Sequence, residues 1–243
     1  MQGSPQIAMP QFRGVVKILV LTCSAVFLLQ LFGQLFFHEA LEPMLGFVPA
    51  RVFQGWIWQF FTYSFLHSGI FHILFNMLIL WSLGSELESR WGAQTFIAYY
   101  FVCALGAALL YGAISLVGLG FRLEIPLIGA SGAIYGLLLA YGILFGDRVM
   151  YFFMVFPMPA KYFVMILGAV EFISSISSGG DGVAHTAHLG GMLTGFLFLA
   201  GMAQWRQRKK RESEGREERK KRLEKAGHLQ LVTKDEDDPK HWH

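Results

Sequence analysis

Charge is missing from this chain where a soluble protein would need it. Charged side chains make up only 15% of the 243 residues. Two stretches, Ile18 to Phe37 and Phe96 to the residue before Arg122, carry none at all. Soluble domains interrupt their apolar runs with charge every few residues. A run of about 20 apolar residues instead matches the roughly 30 Å hydrocarbon core of a bilayer, so a soluble globular class is excluded. Cysteine is also scarce. Cys23 and Cys103 are the only two; both fall inside apolar runs without CxxC spacing, which excludes a disulfide framework and a thiolate metal site. No HExxH pattern occurs, which argues against a helix-borne zinc site.

What charge there is crowds into the last forty residues. A basic run from Arg206 to Lys225 precedes an acidic patch, Asp235 to Asp238, within a net charge of +3. A basic run after a final span marks the cytosolic side and sits near anionic lipid. Nothing in the tail supplies a base-reading element, so no nucleic-acid partner is expected. The first apolar run is too long for a signal-peptide core and is read as a retained span.

The hydropathy pattern predicts an all-α polytopic membrane protein with six spans, near 15–37, 69–87, 94–118, 131–145, 161–176 and 183–205. Three parts follow: a cytosolic N-terminus over 1–14, a membrane domain over 15–205 and a charged cytosolic tail over 206–243. The connection from His38 to Ser68 is rich in aromatics and carries Pro43 and Pro49. Proline argues against one continuous helix there, and the aromatics suggest a segment lying in the membrane interface. Tyr151 to Pro159, broken by Pro157 and Pro159, reads as an interfacial turn.

With both termini inside, the inner side holds Arg13, Lys17, Arg90, Arg148, Lys161 and the Arg206 to Arg211 cluster, leaving Arg51 and Arg122 outside. That asymmetry fits the positive-inside rule. It puts the starts of the fourth and sixth spans on the same outer side, and so Ser131 and His188 at similar depth.

Polar residues inside spans are costly, so each is a functional candidate. Gly129-Ala130-Ser131-Gly132 heads the fourth span. Small residues there suit close helix packing as well as they suit a nucleophile. It is not the G-x-S-x-G elbow of soluble hydrolases, because Ala133 stands at the last glycine and no strand precedes it. Ala187-His188-Leu189-Gly190-Gly191 lies in the sixth span, with His185 one turn earlier. An imidazole at the depth of a serine can take its proton during attack. His188 could equally be an interhelical hydrogen bonder, part of a proton path or half of a metal pair with His185, for which no third ligand stands out. No carboxylate third member is evident in the outer half of these spans, so a dyad is expected. His72 and Asn76, four apart, share one helical face about 6 Å apart along the axis. They could be interhelical glue or two donors of an oxyanion hole. Tyr135, one turn after Ser131, could support the imidazole or simply pack. His67 and His38 read as loop or interfacial residues without a role.

These residues, in this order, closely resemble the rhomboid family of intramembrane serine proteases. The resemblance runs from about Trp58 to Gly195 and includes His72-x-x-x-Asn76, Glu88-x-x-x-Gly92, Gly129-x-Ser131-Gly132 with Tyr135, and Ala187-His188-x-x-Gly191. It implies a six-helix rhomboid-like bundle with a half-inserted loop between the first two helices and a water-filled cavity open to the outer side. Ser131 would be the nucleophile and His188 the general base, with Tyr135 stacked near it. Asn76, His72 and the Ser131 backbone N–H would hold the oxyanion, supported by Gly129 and Gly132. It also implies single-span transmembrane substrates that unwind near a small residue, cut without metal, nucleotide or other cofactor. No organelle-type presequence is visible, so a bacterial inner membrane is expected. One departure is Gln59 after Trp58, where the family often carries arginine, which touches the anchoring of the loop. The six spans, with no seventh, are the simplest form of the family.

The alternatives are a rhomboid-like protein that binds transmembrane helices without cutting them, and a transporter lined by His and Asn. The first would be marked by loss of Ser or His; the second would call for two interrupted repeats, and none is visible. An aspartyl intramembrane protease would need a second Asp within a span to match Gly179-Gly180-Asp181.

Overall fold

A computed structural model describes residues 11–37, 41–117, 123–152, 156–177 and 183–227. The readings of His38, Arg122, Gly179-Gly180-Asp181 and the acidic patch Asp235 to Asp238 lie outside the described residues.

Along the chain, α1 (Gly14–Phe37) is followed by three one-turn helices, α2 (Glu42–Leu45), α3 (Pro49–Val52) and α4 (Gln59–Thr62). Next come α5 (Ile70–Ile79), a π-helical turn over Leu80–Gly84 and α6 (Ser85–Trp91), which together make one span-length rod. Then follow α7 (Ala93–Leu116), α8 (Ser131–Leu144), β1 (Val149–Phe152), β2 (Phe156–Pro159), α9 (Ala160–Ser177) and α10 (Val183–Gly227). Among the described residues five helical segments are long and apolar enough to cross a bilayer, and α8 is apolar but shorter.

Two units are distinguished along the chain, one through Leu199 and one from Ala200. The first holds the packed helices. Its core gathers on α7, whose Phe96, Tyr99, Tyr100, Cys103, Ala107 and Tyr111 are fully buried. The outer surfaces of α1 and α9 expose Ile18, Leu28, Leu35, Met165 and Ile173 instead, the apolar surface that lipid would cover. In the second unit α10 continues as a charged, exposed helix, with Lys210–Glu214 and Lys220–Glu224 pairs at 3.8 and 3.9 Å. The sixth span was expected to end near Trp205; the helix runs on to Gly227 because Glu, Lys and Arg are good helix formers and no proline interrupts them.

Two joints set the frame. The Glu88 carboxylate on α6 accepts the backbone N–H groups of Val15 and Val16 at 2.8 and 2.9 Å, capping the free donors that open α1. Gly92, at φ +81°, then breaks α6 from α7 in a backbone region that favours glycine.

The connection before α5 is not one helix, as Pro43 and Pro49 foretold; it is a chain of short turns tied down by side chains. Gln59 is fully buried. Its Oε1 accepts the Val48 N–H at 3.0 Å and its amide donates to the Pro43 and Met44 carbonyls, both at 3.3 Å. Gln59 therefore anchors this segment where the family often has arginine. Phe47 and Leu127 exchange backbone hydrogen bonds, both 2.9 Å, and the Gly129 N–H donates to the Tyr63 carbonyl at 3.0 Å. The connection is thus stitched to the strand of chain that leads into Ser131.

Two local expectations are corrected. The segment around Tyr151 to Pro159 is not a simple turn but an antiparallel ribbon, Val149 pairing with Pro159 and Phe152 with Phe156. Its Val, Tyr and Phe favour a pleated strand, and an isolated two-stranded ribbon has edges that tolerate proline. His67 does lie in a loop, but it is buried rather than interfacial: it is 2% exposed. Gln30 from α1 grips its backbone, accepting its N–H at 3.0 Å and donating to its carbonyl at 3.3 Å.

Candidate active site

Ser131 is the first residue of α8 and His188 lies near the start of α10. Small residues bring the two helices together. A methyl added to Gly191 of α10 would collide with the Gly132 carbonyl, and one on Gly132 would come within 2.5 Å of the Ala107 Cβ on α7. Close backbone approach through glycine is how apolar helices associate tightly. At the end of that contact the Ser131 Oγ and the His188 Nε2 stand 2.8 Å apart.

The imidazole is held on its other sides too. The Tyr135 ring, one turn below Ser131, stacks on it at 4.0 Å between centroids and 9° between planes. The His188 Nδ1 faces Glu171 of α9, 3.1 Å from Oε2, although an N–H on that nitrogen points off the line and forms no aligned hydrogen bond. The same Oε2 is 2.6 Å from the His185 Nδ1, and the Tyr135 hydroxyl donates to Oε1. Glu171 is only 6% exposed at its side chain.

The expectation of a site without a carboxylate is therefore corrected. Ala160, Val164 and Glu171 are the buried residues of α9, and their spacing of four and seven puts them on one face turned inward. The signal was present in the sequence, since a carboxylate within a span is as costly as the serine and histidine. Glu171, His185 and His188 bring their side-chain donor atoms within 4.8 Å of one another. That convergence has the spacing of a cation site, and here the hydrogen bonds to Glu171 occupy its oxygens.

A second polar pair, His72 and Asn76, lies one turn apart on α5, and His72 meets the Gly129 turn that leads into Ser131. The Gly129 backbone, at φ +118°, turns beneath the His72 ring, and a Cβ there would lie 2.8 Å from His72 Cε1 and 2.9 Å from Nε2. Ser68 meets the His72 Nδ1 through its hydroxyl at 2.9 Å and its backbone N–H at 3.3 Å. Because an N–H donates to it, Nδ1 is the acceptor and the ring proton sits on Nε2, on the Gly129 side. Asn76 is 6% exposed, and its Nδ2 has no acceptor among the described residues. A buried donor left without a partner is unusual enough to need an explanation. The Ser131 N–H, at the start of α8, belongs to the donors a helix leaves unpaired.

Serine, imidazole and two or three free donors make a set able to attack a carbonyl and hold the negative charge that forms on its oxygen. Comparison with known proteins gives the setting. The rhomboid domain matches residues 54–205. The chain belongs to the rhomboid family. With its several apolar helices it is a multi-pass membrane protein.

Rhomboid relatives include Rhomboid protein 1, mitochondrial, of Saccharomyces cerevisiae, 31% identical over 56% of this chain and 39% of that protein. Rhomboid protease GluP of Bacillus subtilis is 29% identical over 72% of this chain and 32% of its own length. Rhomboid protease GlpG of Pectobacterium atrosepticum is 27% identical over 78% and 61%, respectively. The chain thus spans less than two thirds of the length of these curated relatives.

Proposed function

We propose that this rhomboid is an intramembrane serine endopeptidase that cuts transmembrane segments of other membrane proteins. The observation that carries this reading is the 2.8 Å contact between the Ser131 Oγ and the His188 Nε2. Ser131 attacks the scissile carbonyl while His188 takes its proton. The oxygen of the tetrahedral intermediate receives hydrogen bonds from the Ser131 N–H, Asn76 Nδ2 and His72 Nε2. His188 then delivers the proton to the leaving amide nitrogen, and a water activated by the same imidazole releases the acyl group from Ser131. Gly129 and Gly132 support the site by allowing the turn beneath His72 and the approach of α7. No cofactor enters any step.

In the same reading the five span-length helices and α8 form the six-span bundle, and the 41–68 connection is half inserted. Phe53, Trp58 and Phe61 are exposed along that connection, as interfacial aromatics would be. The membrane domain covers 15–205, flanked by cytosolic segments 1–14 and 206–243, in a bacterial inner membrane. Hydrolysis needs water, which the hydrocarbon core excludes, so α8 begins at a depth water can reach.

A substrate helix keeps its amides hydrogen-bonded, so it must unwind before attack. The expected result with purified protein in liposomes is faster cleavage of a single-span reporter carrying Gly or Pro near the cut than of a uniformly Leu-rich span. Equal cleavage of both contradicts the unwinding requirement. A non-cleaving, helix-binding rhomboid-like protein is the alternative, and the Ser131–His188 contact is the observation against it.

A further inference from the structure

Glu171 does more than fill a polar gap in α9. A buried ionised carboxylate is expensive to desolvate and is tolerated where charged or strongly polar groups surround it. Its neighbours come from two helices. From α10 the His185 Nδ1 lies 2.6 Å and the His188 Nδ1 3.1 Å from Oε2. From α8 the Tyr135 hydroxyl donates to Oε1 while its ring stacks on His188. Among the described residues, Ser131 and, from α5, His72 also approach that imidazole. A neutral amide would serve a purely structural bridge to Tyr135 and His185. A carboxylate beside the unsatisfied nitrogen of the base offers something an amide does not: a negative charge where positive charge develops when His188 accepts a proton.

We propose that Glu171 is a positioning residue that, with Ser131 and His188, makes a Ser-His-Glu triad of this site. The role rests on the protease reading above. Glu171 keeps the His188 proton on Nδ1, leaving Nε2 as the acceptor of the Ser131 O–H, and stabilises the imidazolium while the tetrahedral intermediate lasts. It stays ionised throughout: the proton moves from Oγ to Nε2 and on to the leaving nitrogen, never to Glu171. Tyr135 couples the two, bonded to the carboxylate and stacked on the ring it orients. His185 shares the same oxygen, so the carboxylate remains paired while His188 is neutral.

The test compares wild type, Glu171→Gln and Glu171→Asp in liposomes. It measures kcat and KM against pH on a cleaved reporter, serine-directed phosphonate labelling, and the thermal midpoint. Glu171→Gln is expected to lower kcat by about 10²–10⁴-fold, as loss of the orienting carboxylate does in soluble triads, with KM little changed. Its acid limb is expected to move to lower pH, because the imidazolium loses its counter-charge. Glu171→Asp is expected to recover part of kcat and return the limb toward the wild-type position.

A Glu171→Gln protein that matches wild type, or whose loss follows only a lowered thermal midpoint with an unmoved acid limb, overturns the triad while leaving the protease reading intact. Wild-type activity that disappears with a chelator and returns with Zn²⁺ also overturns it, assigning the cluster to a cation. A wild-type protein that neither labels nor cleaves removes the protease reading and this role with it.

Discussion

Gly191 of α10 lies directly against the Gly132 carbonyl of α8, with no room for even a methyl group between them. Ser131, the residue before Gly132, and His188, about one turn before Gly191, are within hydrogen-bond reach. The Ser131–His188 contact and the glycine contact are two readings of one helix–helix approach: what separates the backbones separates the two side chains.

Gly191→Ala is therefore expected to cost about 1–3 kcal/mol of stability by overpacking and to lower cleavage far more than the stability change alone would. Thermal unfolding in detergent, with cleavage measured well below the midpoint, checks both. Full activity at unchanged stability would mean the helices can separate without opening the site.

Asn76→Ala and His72→Ala remove donors proposed to hold the oxyanion. Each is expected to lower kcat by about 10²–10³-fold with KM nearly unchanged, since the bond strengthens only as charge develops. A rise in KM at constant kcat would place these residues in substrate binding.

Gln59→Leu tests the anchoring of the 41–68 connection. It leaves the buried Val48 N–H without its acceptor, and an unsatisfied buried group costs about 1–3 kcal/mol, while the Pro43 and Met44 carbonyls keep Arg51 and Trp58 as donors. The expected outcome is lower stability and earlier proteolytic nicking between 41 and 62. Nicking at the wild-type rate would show that the other ties, among them the Trp58 Nε1 bond to the Met44 carbonyl at 3.0 Å and the Phe47–Leu127 backbone pair, hold the segment without Gln59.

His67 gives a pH prediction. Burial, assisted by the nearby His72 ring, pushes its imidazole down from 6.5 to about 4. The unfolded chain then binds the extra proton between those values, so stability rises with pH across that window. Lowering the pH from 7 toward 4 is expected to remove up to about 3 kcal/mol from this source, and His67→Leu to flatten that slope of the thermal midpoint. An equal slope in both proteins contradicts a neutral buried His67.

How far the sequence could be read follows from the range of each signal. Apolar runs mark the long helices because bilayer thickness acts on every residue of a span. Ser131 and His188 stood out because polar groups are costly in that setting. The short turns and the ribbon at 149–159 depend on pairing across the chain, which periodicity does not report. Gln59 and His67 look like ordinary loop residues until their distant partners, the Val48 backbone and Gln30, are seen. Glu171 differs: the same cost argument that singled out the serine applies to it, and α9's buried spacing gives its face.

Phosphonate labelling bears most directly on the account, because it asks whether the Ser131 oxygen is an activated nucleophile. Wild-type protein in liposomes is expected to label at Ser131 and lose cleavage in step, while Ser131→Ala takes up no label and His188→Asn labels far more slowly. Labelling that persists in Ser131→Ala, or wild-type cleavage that survives complete modification of Ser131, would contradict it.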